Sequence, residues 1–345
     1  MIVLEIRKVQ LVGRASFSVT LPPDWIKENK IKPSDQVTIT REEDGSLRLN
    51  PGIIREEKKE VKITIDADRC KDPGLLSKLI VGGYIRGCDS IEVVSKHAIS
   101  ENHRREIREA IDSLMGMGIV ESTSNHVTLQ AMVDPSKFPM KPLLKRLYEL
   151  SLSMYKDALQ ALKDKNPSLA ASVTQRENEV NKVYWLVGRQ IASSAFDKTF
   201  LKKIGLKGTP DLALQMVISS RIWEVSNYAV DIADNMLAIG QKEVSDSDLQ
   251  KVVQLGKMAQ EIISNACEAF FKGDVILANN AMGSFNSLDK RKDELVKDVV
   301  PRIKDGDVLT SLMNIIRDLR GIARYGKSIA EITIDYSTAE KSNLP

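Results

Sequence analysis

The chain has 345 residues, of which 42% are hydrophobic and 28% are charged, so it is long enough for two or three domains and too apolar for a disordered protein. Its formal net charge of only +3 excludes a general attraction to nucleic acid or membranes. The three cysteines are scattered and lack Cys-x-x-Cys spacing, which argues against a zinc site or a disulfide framework. The sequence shows neither a leader-like start nor an apolar run of about 18 residues, which argues against secretion and membrane insertion. We therefore expect a cytoplasmic protein.

The first 54 residues are predicted to form short strands around one small helix. β-Branched and aromatic residues from Val9 to Leu21 indicate two strands interrupted at Gly13, and Pro22-Pro23-Asp24 begins a helix over 25–29. Alternating apolar residues on both sides of Asp44-Gly45 predict a β-hairpin. Because so small a segment buries too little surface to be stable alone, we expect a partner chain or a sheet shared between two copies.

Residues 60–134 alternate predicted strands and helices. The apolar runs in this region are short and rich in β-branched residues, whereas the segments between them are longer and have a helical pattern. This alternation predicts a small βαβαβ layer. The predicted strands are 61–65, 90–94 and 127–132, and the predicted helices are 73–85 and 101–115.

Two features of this layer bear on catalysis and nucleotide binding. The segment Gly82–Gly87 follows a helix and lacks the Gly-Lys-Ser/Thr ending of a phosphate-binding loop, so we interpret it as a structural turn. All three histidines, His97, His103 and His126, lie in this layer without a nucleophile motif, a P-loop or an HExxH sequence around them. These observations argue against an enzyme.

Residues 140–337 are predicted to be helical almost throughout, and the region is duplicated. The segments 227–234 and 324–331 both end in Ile-Ala followed by an acid, and the segments 166–170 and 274–278 both place a capping side chain before a helix. Breaks at glycine, proline and polar residues divide the region into two sets of three long helices. These breaks lie at 166–167, 205–210, 240, 273–274 and 304–307.

The helical duplication, with its Ile-Ala-acid endings and its capped helix starts, resembles the PhoU family of phosphate-uptake regulators. The first part of the chain resembles an AbrB-type (SpoVT-AbrB) swapped-hairpin DNA-binding domain. The segments that carry this resemblance are Gly13-Arg14, Thr20–Trp25, Asp35-Gln36-Val37 and Asp44–Leu47. The order of the modules is similar to that of archaeal PhoU-like regulators. The resemblance implies a multidomain, mainly α fold, with an N-terminal swapped-hairpin β domain over 1–54, a small α/β layer over 55–136, and three-helix PhoU-like repeats over 137–241 and 242–340.

The resemblance also implies a function. PhoU-like proteins act on a phosphate ABC transporter and a signalling kinase, and an AbrB-like domain adds direct DNA binding as a dimer. We therefore expect a non-enzymatic, cytoplasmic regulator of phosphate uptake that forms a homodimer or larger assembly and binds DNA. The alternative is an adaptor that docks on the transporter ATPase or the kinase and uses its first domain only for dimerisation.

Metal-binding PhoU proteins use carboxylates spaced four residues apart, which places both on one helix face. In the first repeat the matched positions hold Glu177 and Asn181, then Asn227 and Asp231, so each pair keeps one acid. Two interpretations remain open for these four residues. They are either a weak site for a divalent metal or iron, in the first repeat only, or a hydrogen-bonded polar patch between helices.

In the second repeat the matched positions hold Phe285 and Asp289, then Arg324 and Ser328. A guanidinium at a ligand position repels a cation, so we expect no metal here. We predict instead that Arg324 replaces the cation and pairs with Asp289 across the helix interface.

The local charge of the first domain is positive although the whole chain is nearly neutral. Residues 6–23 contain Arg7, Lys8 and Arg14 and no acidic residue. A dimer would double this cluster, and Arg14 beside Gly13 could approach phosphates or guanine edges closely. The alternative is an ordinary solvated strand pair. With the family resemblance, we predict that these three side chains bind DNA.

Overall fold

The computed structural model describes residues 5–41, 45–52, 60–195, 197–240, 242 and 244–340, with side chains up to 337. Asp44 of the predicted hairpin dipeptide lies outside these residues. The chain divides into two compact units, residues 1–59 and residues 60–345. The boundaries that we predicted at 136 and 241 fall within the second unit and remain predictions. Among the described residues, no helix has both the length and the apolar composition that a bilayer crossing requires.

The first unit contains two β-hairpins and one short helix between them, as predicted. The strands β1 and β2 pair antiparallel around a turn in which Gly13 has φ +68°, a conformation that glycine adopts without strain. The strands β3 and β4 also pair antiparallel, but the two hairpins form separate sheets. The elements are β1 (Gln10–Val12), β2 (Ser16–Ser18), α1 (Pro23–Glu28), β3 (Val37–Arg41) and β4 (Leu47–Pro51).

One face of the first hairpin is apolar and open to solvent. Leu11 lies directly opposite Phe17, and their exposed fractions are 62% and 72%. Val9 and Val19 continue the alternation on either side and are also exposed. In the described part of this unit no residue of α1 is buried either. No side chain is buried among the residues that the structure describes in this unit, and the expectation that it needs a partner stays a prediction.

The second unit begins with a four-stranded sheet covered by two helices. The strands follow the order β5-β6-β8-β7, in which β5 and β6 are parallel and the other pairs are antiparallel. The prediction of three strands was wrong, because β7 forms an additional edge strand. The elements are β5 (Lys62–Asp66), α2 (Leu75–Ile85), β6 (Ser90–Val94), α3 (Glu101–Asp112), β7 (Met117–Ser122) and β8 (His126–Ala131).

The glycine-rich segment and the histidines of this layer have structural contacts. Gly83 lies inside α2, where an added Cβ would come within 2.5 Å of the side chain of Ile63, so the glycine permits close packing of helix on sheet. Gly87 has φ +88° and ends the helix. The ring of His103 lies 3.0 Å from the backbone oxygen of Cys70, and that of His126 lies 4.0 Å from the Glu121 carboxylate.

The helical body contains the two predicted repeats, and the predicted capping side chains are in place. Asn166 accepts a hydrogen bond from the backbone N–H of Leu169, and Asp274 accepts two at its own helix start. The first repeat consists of α4 (Met140–Asp164), α5 (Pro167–Gln175), α6 (Glu177–Ser194), α7 (Lys198–Lys203) and α8 (Thr209–Ile239). The second consists of α9 (Asp246–Lys272), α10 (Val275–Val299) and α11 (Gly306–Glu340).

The first repeat departs from the predicted set of three long helices. Its middle helix is divided at Arg176 into α5 and α6, and the short α7 precedes α8. The guanidinium of Arg176 lies 2.6 Å from the Asp157 carboxylate of α4, and this contact holds the break against the neighbouring helix. The second repeat has three long helices as expected.

A buried arginine joins the helical body to the sheet layer. Arg189 of α6 is only 2% exposed, and its guanidinium donates to the backbone oxygens of Tyr84 and Cys88 at 2.9 and 2.7 Å. It also lies 3.2 Å from the Asp89 carboxylate and 5.0 Å from the centre of the Tyr84 ring. These contacts terminate the carbonyl end of α2 and fix α6 to it, so the layer and the repeats behave as one unit.

Candidate functional site

The basic residues predicted to bind DNA lie along the first hairpin. Arg14 belongs to its turn, whereas Arg7 and Lys8 precede β1 at the opposite end. All three side chains are exposed, and Arg7 forms an ion pair with Glu5, just outside the acid-free stretch. Lys8 and Arg14 are six residues apart, about 20 Å along an extended strand. Within one copy Arg14 therefore lies at one end of the hairpin, and Arg7 and Lys8 lie at the other end.

The four matched polar positions of the first repeat lie on α6 and α8, and the two amides among them are bound by other groups. The Asn181 oxygen accepts a hydrogen bond of 2.7 Å from the indole N–H of Trp223, and the Asn227 amide donates to Glu224 at 3.5 Å. In the residues that the structure describes, no three acidic, histidine or cysteine side chains are grouped so as to hold a metal ion. This donor set does not fit a resident divalent metal or iron, which needs several hard oxygens. The hydrogen bonds of the two amides agree with the polar-patch interpretation, which stays a prediction.

In the second repeat the arginine that meets Asp289 is Arg320, so the predicted pairing with Arg324 was wrong. The Arg320 guanidinium donates to both carboxylate oxygens, at 2.5 and 3.1 Å, and these hydrogen bonds hold the pKa of Asp289 below its ordinary value. Arg320 lies one turn before Arg324 on α11, and the helix register brings it opposite Asp289 while Arg324 is exposed. Arg320 and Lys327 both lie 5.6 Å from the centre of the Phe285 ring. Asp289 is thus paired with a guanidinium, one turn earlier on α11 than predicted.

An aromatic stack lies beside the polar patch. The rings of Tyr184 and Trp223 are parallel within 6°, with centres 4.5 Å apart, and Trp185 is tilted against both. Trp185 also packs against the core of the sheet layer. The stack therefore fixes α6 against α8 on one side and against the layer on the other.

The contact between α8 and α11 contains a buried carboxyl group that the sequence pattern did not reveal. Asp318 is fully buried, and burial raises its pKa to about 6, although a hydrogen bond from Arg317 opposes this shift and Asp231 adds to it. One of its oxygens has no hydrogen-bond partner. Nearby, the rings of Tyr228 and Tyr325 lie 5.8 Å apart at equivalent positions of the two repeats.

Asp318 is expected to make the fold less stable as the pH rises from about 4 to about 6. In the unfolded chain its carboxyl group would ionise near the ordinary value of 3.8, whereas in the folded chain it stays protonated up to about 6. This residue therefore favours the folded state at low pH by at most about 3 kcal/mol, and that contribution is lost through pH 6. Asp318→Asn should remove the dependence and raise the melting temperature at pH 8.

Thermal unfolding at pH 5 and pH 8 measures this effect. Asp112→Asn, at an exposed position at the end of α3, is the control and should behave like the unchanged protein at both pH values. A variant Asp318→Asn that loses stability at pH 8 would show instead that the ionised carboxylate is favourable where it stands.

Comparison with protein families identifies two matches in this chain. The family model described as "PhoU domain" matches twice, over residues 144–236 and 252–333, and these ranges together cover slightly more than half of the chain. The model described as "Antidote-toxin recognition MazE, bacterial antitoxin" matches residues 10–62. The first match falls on the two helical repeats, and the second falls on the two hairpins.

Individual proteins that resemble the chain are similar to it over its larger part. A curated protein of Thermotoga maritima, named phosphate-specific transport system accessory protein PhoU homolog 1, is 21% identical over 57% of this chain and 84% of its own length. The crystal structure of the phosphate transport system regulatory protein PhoU from Streptococcus pneumoniae matches with 20% identity and a TM-score of 0.47. That of PhoU from Pseudomonas aeruginosa matches with 17% identity and a TM-score of 0.49. Each alignment covers 59% of this chain and 96% of the solved one.

Proposed function

We propose, from the fact that this chain belongs to the PhoU family, that it is a non-enzymatic cytoplasmic regulator of phosphate uptake that binds DNA as a dimer. The observation that carries this proposal is the coexistence, in one chain, of two PhoU repeats and a MazE-like first unit with a basic hairpin. The helical body serves as a sensor or docking surface for a phosphate ABC transporter or a signalling kinase. The first unit brings that body to DNA.

The geometry of the first hairpin supports the DNA-binding part of the proposal. Its apolar face would be covered by a second copy, whereas the turn with Gly13 and Arg14 remains free to approach a duplex. Two copies would present two such sets of basic side chains. Such an arrangement gives salt-dependent contacts with phosphates, and a glycine beside an arginine permits close approach to the backbone.

The test is a gel-shift assay with the full chain and random double-stranded 30-mers in about 50 mM salt. Replacing Arg7, Lys8 and Arg14 together with glutamate should weaken the binding of DNA at least tenfold, because phosphate contacts dominate affinity at low salt. The control replaces Lys27, Lys30 and Lys32 with glutamate, which changes the charge of the same unit equally at exposed positions outside the hairpin. An equal loss in both triple variants would mean that net charge, and not the hairpin, attracts DNA.

The second candidate function is an adaptor that docks on a transporter ATPase or kinase and uses the first unit only to dimerise. One contact favours it: Arg7 is already paired with Glu5, so its charge is partly neutralised within the copy. If the intact protein fails to retard DNA at low salt while remaining a dimer, the adaptor is the better description.

A further inference from the structure

A groove of about 440 Å³ runs along the first repeat between α4 and α6. Its walls come from residues 139–150 and 179–183, and Phe138 and Met115 complete its lining. We call it the α4–α6 groove. Its volume lies within the range of about 300–1,000 Å³ that is typical of ligand sites. The stretch of α4 along it rises by about 16 Å, which is the length of three turns of a helix.

Contacts near both ends of the groove hold α6 against α4. Gln190 is fully buried, and its side-chain amide donates to the backbone oxygens of Pro135 and Phe138 just before α4. Beyond the other end, the Arg176 guanidinium lies 2.6 Å from the Asp157 carboxylate. The two helices are therefore antiparallel and fixed to one another. Because the α4–α6 groove is formed in advance, a ligand need not order its walls.

The floor of the groove is apolar. Leu143 of α4 and Val183 of α6 are buried beneath it, and Met115, Phe138 and Leu150 are partly buried against the same core. Leu143 and Leu150 are two helical turns apart, which is about 10 Å. A helix that lay in the groove could set apolar side chains of the same two-turn spacing against them.

Three basic side chains flank the groove, and they are Lys137, Arg146 and Lys182. In the part of the chain that the structure describes, none of the three makes a side-chain hydrogen bond or an ion pair. Glu179 also lies on the rim and keeps its negative charge, so the rim has three positive charges against one negative. Lys137 and Arg146 are about 14 Å apart at the rise of a helix. The positive charge is therefore spread along the groove and is not gathered at one point.

We propose that the α4–α6 groove binds an amphipathic helix of a partner protein, with an apolar face of about three turns and acidic side chains along its edges. The floor receives the apolar face, and the separated basic side chains meet the carboxylates. An acyl chain with a single anionic head could pair with only one part of the rim. The proposal rests on the docking part of the proposed function, for which it names the chemistry of the partner, and it is independent of DNA binding.

Methionine methyl signals of the full chain report on the groove directly. Met115 lines it, whereas Met154 lies in the core and serves as the internal reference. The probe is a synthetic peptide of about 16 residues of leucine, alanine and glutamate, with all leucines on one helical face. With ¹³C-methyl methionine, this glutamate peptide should shift the Met115 signal saturably and leave Met154 in place. A lysine peptide, in which lysine replaces every glutamate, should bind at least about tenfold more weakly.

Charge reversal tests the rim. Arg146→Glu with Lys182→Glu should weaken the binding of the glutamate peptide at least about tenfold and make the lysine peptide the tighter ligand. A loss of packing alone would not invert the preference. Lys156→Glu with Lys163→Glu changes the net charge equally, at two exposed positions of α4 that lie about 15 Å or more from Arg146. This control should keep the preference and the affinity of the unchanged protein.

The other outcomes contradict the proposal in distinguishable ways. If the glutamate peptide moves no methionine signal, or if the rim variant keeps full affinity, the groove does not bind an acidic helix. If the peptide moves other methionine signals but not Met115, docking occurs elsewhere, so the groove is wrong while the docking function stands. A Met115 signal that shifts when the chain alone is concentrated assigns the groove to a second copy. A stronger response to dodecanoate assigns it to an acyl chain.

Discussion

Replacing Arg189 with alanine is expected to lower the free energy of unfolding by about 3–5 kcal/mol, the range found when one partner of a buried ion pair is removed. The substitution leaves the backbone oxygens of Tyr84 and Cys88 without the donors that Arg189 provides, and it leaves the Asp89 carboxylate half-buried next to a void. Urea denaturation followed by circular dichroism measures the loss.

Two further variants make the Arg189 experiment specific. Arg189→Met keeps most of the volume of the side chain but none of its donors, so it should recover only the packing part of the loss. Arg105→Ala, on the exposed face of α3, should change the stability by less than about 0.5 kcal/mol. A loss below about 1 kcal/mol for Arg189→Ala would mean that packing between α6 and the sheet layer, and not the arginine, holds them together.

The second large effect is expected at the apolar face of the first hairpin. Replacing Leu11 and Phe17 with glutamate should raise the dimer dissociation constant at least about 100-fold, because each copy loses two apolar side chains worth about 1.5–3 kcal/mol apiece on burial. Sedimentation of the full chain near 10 µM would then show a monomer, where we expect the unchanged protein to be a dimer.

The hairpin itself supplies the matched control. Gln10 and Ser18 are also directly opposite one another, but on the other face of the same two strands. Their replacement with glutamate adds the same charge one residue further from the turn and should leave the dimer intact. A dimer that survives the change at Leu11 and Phe17 would place the dimer contact elsewhere in the chain.

Local signals in the sequence were sufficient for most of the helices and strands. The helices α9, α10 and α11 begin and end close to the predicted breaks, because the residues that break the chain there act locally. Gly273 ends α9, and the side chain of Asp274 caps the start of α10. The sequence did not predict the strand β7, because Met117–Ser122 lacks the alternation of apolar and polar residues that indicates a strand. This segment contains a glycine, and it exposes the neighbouring Ile119 and Val120 at a sheet edge.

Contacts between distant side chains were less predictable. The pairing of Asp289 with Arg320 depends on the register between α10 and α11, which packing along the whole interface determines. Nothing in the sequence around Arg189 indicates that an arginine is buried there, because its partners come from a segment a hundred residues earlier. The α4–α6 groove likewise combines two helices with the sheet layer, and only the fold brings Met115, Arg146 and Lys182 to one groove.

The aromatic stack between α6 and α8 provides an intrinsic tryptophan fluorescence probe. The chain contains three tryptophans, and two of them, Trp185 and Trp223, belong to this stack, whereas Trp25 lies in the first unit. The second repeat has none. With Trp25 replaced by phenylalanine, the remaining tryptophan emission would arise only from the stack at the junction of the first repeat with the sheet layer. Fluorescence could then follow the opening of that junction in real time, separately from events in the hairpins.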